Sequence, residues 1–202
     1  FEGGREVRES WDGRERWKGG ATLAMASILG APSLCAQGAF GSALAISGRD
    51  VVVGQPGNAY GPGVVYVYRQ DAKGAWTAGK KLTRTGATNG DGFGSAIALD
   101  GNTLLVGSEK ADSGMGAVYV FTRDATGWKE TGRLAAKDGQ PSDGFGSSIL
   151  LAGDRAFVST GSNRRIGTVF VFRRSGATWA AETTFTPADT IMSSTYGQAM
   201  AV

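Results

Sequence analysis

From residue 39 onward, short apolar runs alternate with clusters of Gly, Asp, Asn and Ser, and no stretch repeats apolar residues at a helical spacing. Over residues 93–134 this pattern predicts four strands: Phe93–Leu99, Thr103–Gly107, Gly116–Thr122 and Gly127–Leu134. The first two are joined by Asp100-Gly101-Asn102, a hairpin signal; a Gly-containing loop at 108–115 and then Arg123-Asp124-Ala125-Thr126 join the rest. The third strand is apolar at every position from Ala117 to Phe121, so both of its faces must be covered. The fourth, Trp128-Lys129-Glu130-Thr131-Gly132-Arg133-Leu134, mixes charge with apolar residues, as a water-exposed edge strand does. Gly94-Ser95-Ala96 opens the first strand with small side chains, which suits a crowded inner position.

The same pattern recurs along the chain. Phe40-Gly41, Phe93-Gly94, Phe145-Gly146 and Tyr196-Gly197 follow one another at spacings of 53, 52 and 51 residues. Val65-Tyr66-Val67-Tyr68, Val118-Tyr119-Val120-Phe121 and Val169-Phe170-Val171-Phe172 keep that rhythm, as do Trp76, Trp128 and Trp179 and then Leu82, Leu134 and Phe185. Four-stranded units of this length, buried on both faces, predict an all-β fold built of β-propeller blades. Three blades are expected at 39–91, 92–143 and 144–194, with the start of a fourth at 195–202. A ring normally holds four to eight blades, so further blades of the same protein are expected beyond these.

The Phe-Gly opening, Gly54-Gln55-Pro56 after the second strand and the Val-Tyr-Val-Tyr third strand resemble FG-GAP repeats over about residues 39–202. Such repeats form the blades of integrin α-chain heads and of many secreted bacterial proteins. The likeness thins along the chain, since Gly54-Gln55-Pro56 becomes Gly107-Ser108-Glu109 and then Ser159-Thr160-Gly161. Many relatives carry an Asp-x-Asp-x-Asp-Gly calcium loop between the first two strands. Here the equivalents are Ser47-Gly48-Arg49-Asp50, Asp100-Gly101-Asn102 and Ala152-Gly153-Asp154-Arg155, each with a single carboxylate. Calcium needs six to eight converging oxygens, so no metal and no cofactor is expected.

Ahead of the repeats, residues 1–20 carry five basic and five acidic side chains without apolar periodicity, a composition that predicts disorder. Residues 21–38 follow with an uncharged, mostly apolar run and a small-residue exit at Cys35-Ala36-Gln37-Gly38. Basic, apolar and then small-residue order matches a secretory signal peptide, and the apolar run is too short to span a bilayer. The expected location is therefore secreted, periplasmic or on the cell surface.

Composition narrows the chemistry. There is no histidine, which excludes a Ser-His-Asp triad, a Cys-His dyad and His-ligated zinc, and the lone Cys35 cannot form an internal disulfide. A net charge of +3 without a dense basic stripe gives no reason to expect nucleic acid. Gly-x-Ser-x-Gly is absent, and no glycine-rich loop precedes a helix. Catalysis is not expected.

Strand direction alternates within a blade, so the loops after the second and fourth strands share one face: 55–63, 84–92, 108–116, 136–144, 159–167 and 186–195. Loops on a rigid scaffold commonly carry binding residues. Asp91, Asp143 and Asp189 precede aromatic-Gly pairs there, with Asp112 and Asp138 on the same face as candidates for an acidic rim. The alternative for Asp-Gly-Phe-Gly is a solvated turn in which the Asp caps its own backbone. Arg164 and Arg165 are candidates for holding a carboxylate or sulfate, against the alternative of a solvent-facing pair. Trp76, Trp128 and Trp179 are read as blade-to-blade packing rather than as sugar platforms. The expected function is a non-catalytic extracytoplasmic binding or adhesion propeller with a protein or glycan ligand. A passive spacer domain of a larger secreted protein is the alternative, ahead of a glycan-active enzyme.

Overall fold

The computed structural model of this chain describes residues 39–161, 167–188 and 196–201. The proposed leader at 1–38, Arg164, Arg165 and Asp189 lie outside the described residues. Among the described residues, twelve strands form three four-stranded antiparallel sheets, each strand paired with the next in sequence. The first sheet holds β1 (Ala43–Ser47), β2 (Asp50–Gln55), β3 (Val64–Gln70) and β4 (Trp76–Ala78). The second holds β5 (Phe93–Asp100), β6 (Thr103–Ser108), β7 (Ala117–Asp124) and β8 (Gly127–Leu134). The third holds β9 (Phe145–Ala152), β10 (Arg155–Thr160), β11 (Val169–Ser175) and β12 (Thr178–Phe185). A single helical turn, α1 (Ala111–Gly114), interrupts the loop between β6 and β7. These sheets are propeller blades, and the predicted strands of residues 93–134 fall within a residue or two of the observed ones.

Why the middle blade is apolar throughout is visible in its packing. Leu104, Val106, Tyr119 and Phe121 join Val52, Val65, Val67 and Leu82 of the first sheet around Phe93. On the other face, Leu105, Val118 and Val120 join Ala156, Val158 and Phe172 of the third sheet around Phe145. Alternate residues of one strand thus supply two separate cores, and the period of two is hidden because both faces are buried. Phe93 and Phe145 are fully buried, each contributing about 1.5–3 kcal/mol by leaving water. Their rings meet the third-strand aromatics edge-on, Phe93 with Tyr119 at 5.8 Å and Phe145 with Phe170 at 5.4 Å.

The repeat extends to irregular features. Pairing between the third and outer strands slips between Val120 and Phe121, and again at the equivalent Val171 and Phe172, leaving Thr131 and Glu182 as the extra bulge residues. The outer strands are mostly exposed, as the mixed sequence predicts.

Adjacent blades approach backbone to backbone. A Cβ on Gly54 would lie 2.1 Å from the Gly94 carbonyl oxygen, and one on Gly107 would lie 2.2 Å from that of Gly146. Gly94 and Gly146 share a φ of +92°, a left-handed conformation that favours glycine. The Phe-Gly pair therefore does two things: its ring fills the inter-blade core, and its glycine brings the carbonyl against the preceding sheet.

The ends of the array depart from this scheme. Phe40, Leu44 and Ile46 occupy the positions of Phe93, Ile97 and Leu99, yet are 55%, 57% and 64% exposed, since no sheet among the described residues covers them. At the other end, Gly197 keeps the left-handed φ of +80°, but residues 196–201 form turns and bends rather than the expected inner strand. Ser159 stands where Gly54 and Gly107 stand, and a Cβ on Gly197 would lie 3.0 Å from the Ser159 Cβ.

Substituting Gly107→Ala forces the second and third sheets apart and is expected to cost about 3 kcal/mol. Gly101→Ala, in open space at a positive φ, is expected to cost only about 1–2 kcal/mol. Urea denaturation of both variants checks the ordering; equal losses would contradict a close inter-blade contact.

Candidate functional site

The loops after second and fourth strands come together on one face. The Gly144 amide donates to the Gly114 carbonyl at 2.9 Å and the Phe145 amide to that of Met115 at 3.0 Å, tying loop 136–144 to loop 108–116. The Asn89 side-chain amide donates to the Ala59 carbonyl at 3.4 Å, so loop 84–92 lies on loop 55–63.

Asp91 and Asp143 belong to the interior of this rim. Asp91 is 2% exposed, and its carboxylate accepts from the Phe93 amide at 2.9 Å, the Thr88 amide at 3.1 Å and Arg84 Nε at 2.8 Å. Its own carbonyl accepts from Ser108 Oγ of the same blade at 2.9 Å. Asp143, 7% exposed, accepts from the Gln140 amide at 2.7 Å, while its carbonyl accepts from the Gly161 amide at 3.1 Å. Both use the backbone-capping geometry weighed from the sequence, but buried rather than solvated. A carboxylate is stable there because charged and amide donors replace the water it has lost.

Asp112 and Asp138 are the exposed members. Asp112 pairs with Arg133, both side chains nearly half-exposed. Asp138 lies on the same loop as Lys137 and faces solvent. The structure does not draw these four carboxylates into one cluster: among the described residues, no group of three or more His, Cys, Asp or Glu converges as metal ligands would.

Instead, a shallow cleft of about 200 Å³ opens between α1 and residues 133–139. Asp112 and Met115 line one side, and Arg133, Ala136 and Lys137 the other. Asp112 and Ser113 have φ values of 53° and 61°, left-handed at two consecutive non-glycine residues. Behind the cleft, the Tyr119 hydroxyl pKa is raised by burial and pulled back by the nearby guanidiniums of Arg84 and Arg133. The Arg84 guanidinium lies over the Tyr119 ring at 5.3 Å. Asp91, Arg84, Tyr119, Arg133 and Asp112 therefore form one connected chain from the buried turn to the cleft. Such a cleft offers two cations, one carboxylate and an apolar wall, which suits binding of a polar group.

Sequence reasoning did not find Arg84, Arg133 or Tyr119 as site residues, nor a second set on the opposite face. There, Arg123 pairs with Asp50 of the first sheet and bonds to Asn102 at 3.1 and 2.9 Å. Arg174 bonds to Thr103 of the second sheet, and Thr103 is the repeat equivalent of Asp50. Trp128 and Trp179 lie under these guanidiniums at 5.3 and 5.8 Å and pack against the two cores, as blade-to-blade packing requires. Trp76, with Gln70 at the position of Arg123 and Arg174, is 38% exposed. The signal was present in the spacing of Arg123 and Arg174, which share a repeat phase. In the third sheet that acceptor position is Arg155, paired with Glu182 at 2.9 Å.

All-β, four-stranded blades joined through Phe-Gly pairs define a propeller-type domain. The sequence model of the FG-GAP repeat matches residues 76–121 and 128–172, so the chain carries FG-GAP repeats. Each matched segment begins in the outer strand of one blade and ends in the third strand of the next, so the sequence repeat straddles the inter-blade interface. No curated protein matches the chain. Among the described residues, no helix is long and apolar enough to cross a membrane.

Asp91→Ala strands the Arg84 charge and two backbone amides, and is expected to cost about 3–5 kcal/mol. Asp138→Ala, on the exposed loop, is expected to change stability by no more than about 0.5 kcal/mol. Equilibrium unfolding of the two variants gives the comparison, and a small effect at Asp91 would return it to the candidate ligands.

Proposed function

We propose that this chain is a non-catalytic binding module whose ligand, a protein or a glycan, docks on the face made by the loops after the second and fourth strands. The observation that carries the reading is the cleft between α1 and residues 133–139, where Arg133, Lys137 and Asp112 gather beside the apolar Met115. Buried Asp91 and the inter-blade glycine contacts hold its walls on rigid sheets, the arrangement in which loop residues bind with little ordering cost. Further blades of the same protein would cover Phe40, Leu44 and Ile46. The full chain captured on a glycan array, or used as bait for extracellular proteins, should bind a ligand that Arg133→Ala with Lys137→Ala releases by at least about tenfold. Unchanged melting of that double variant shows that the loss belongs to the cleft. Undiminished capture would place the ligand elsewhere.

The module acts outside the cytoplasm in this reading, supported by the basic, apolar and small-residue order across residues 14–38. Expressed with its leader in a secreting bacterium, the exported protein should begin at Gln37 or Ala39 by N-terminal sequencing. Intact Phe1 on cytoplasmic protein would refute export.

A further inference from the structure

Three asparagines lie among the described residues, and their surroundings differ. Asn58 precedes Ala59, and its side-chain oxygen accepts from the Tyr60 amide at 2.8 Å. Asn102 precedes the buried Thr103, and its oxygen accepts two bonds from Arg123, at 3.1 and 2.9 Å. Asn89 is exposed and precedes Gly90. Among the described residues, its only side-chain bond is the long one from Nδ2 to the Ala59 carbonyl, at 3.4 Å. The Gly90 amide makes no hydrogen bond among the described residues, and an added Cβ there would meet nothing closer than 3.8 Å. An accessible amide carbon therefore stands next to an unhindered, unbonded backbone nitrogen.

We propose that Asn89 is a site of spontaneous conversion to aspartate and isoaspartate. The Gly90 nitrogen, its proton taken by water or hydroxide, attacks Asn89 Cγ; a carbon–nitrogen bond forms and the side-chain nitrogen leaves as ammonia. Water then opens the five-membered imide. Addition at Cγ breaks the new bond and leaves aspartate, whereas addition at the main-chain carbonyl breaks the original peptide bond and leaves isoaspartate. No oxidant or cofactor enters, since an amide and water become a carboxylate and ammonium. Asn58 and Asn102 are held back by a side chain on the following residue and by bonds that fix their amides.

The conversion has a structural consequence. Loop 84–92 is pinned on either side of Asn89 by Asp91, which holds the Thr88 and Phe93 amides. A carboxylate at position 89 loses the donor that reaches Ala59 and faces that carbonyl with negative charge. The contact between loops 84–92 and 55–63 is therefore broken, while the buried Asp91 turn stays in place.

The purified full chain, aged in mildly alkaline buffer, should show the amide-to-acid mass gain and enzymatic isoaspartyl methylation on the peptide holding Asn89. Peptides holding Asn58 and Asn102 should react at least about tenfold more slowly, because their amides must first be released by local opening. Asn89→Gln, which cannot form the five-membered ring, should abolish the methylation signal without changing the melting temperature. Asn89 should also react at a similar rate in the native chain and in urea. Native protection of about tenfold or more, or equal labelling of all three asparagines, would overturn the proposal.

Discussion

The closest constraint in this molecule is the contact of one blade's backbone with the next. Gly54 and Gly107 sit where any side chain would strike the carbonyl of Gly94 or Gly146. That approach sets the spacing of the sheets, and the spacing sets everything packed between them. Phe93 and Phe145 are buried because their glycines allow the sheets to close around them. A wider gap would leave the two cores underfilled, at a cost that grows with each ångström of lost contact. The family repeat straddles this junction, running from one outer strand into the next three inner strands.

Electrostatics reinforces the junction at both ends of the blades. On the face of the longer loops, Asp91 gathers backbone amides and Arg84, and Arg84 covers the Tyr119 ring. On the opposite face, Arg123 and Arg174 reach back to the preceding sheet, each lying over a tryptophan. Buried charges of this kind gain little over apolar packing when intact, but losing one partner leaves an uncompensated charge. Arg155 replaces the acceptor in the third sheet, so an arginine reaching back as Arg123 and Arg174 do would meet a cation there.

Positions that repeat build the scaffold, and positions that differ create the cleft. Tyr119 corresponds to Tyr66 and Phe170, and Arg133 to Lys81 and Thr184. In the first blade, Lys81 lies over the Tyr66 ring at 5.1 Å and the Tyr66 hydroxyl donates to Gln55 at 2.8 Å. In the middle blade Arg84 lies over the Tyr119 ring, and α1, Arg133 and Lys137 line the cleft beside it. Binding chemistry on a repeat fold is thus read from its departures rather than from its rhythm.

The order of local interactions was already present in the amino-acid sequence. Turn residues and apolar runs placed the strands of residues 93–134, and the spacing of Phe-Gly, third-strand and tryptophan landmarks placed the three blades. These are short-range choices, made by residues that decide their own backbone conformation or the face they bury. Asp91 and Asp143 were legible as residues of one face, but their direction was not: Asp-Gly-Phe-Gly permits a solvated turn or a buried one. Burial comes from the same sheet's second strand folding back on the turn: Ser108, at the end of β6, donates to the Asp91 carbonyl, and Gly161, just past β10, to the Asp143 carbonyl. Arg133 and Asp112, twenty-one residues apart, meet because β7 and β8 fold back under α1. Contacts between blades, and the cleft they leave open, depend on where separate segments come to rest in space, which only the tertiary structure decides.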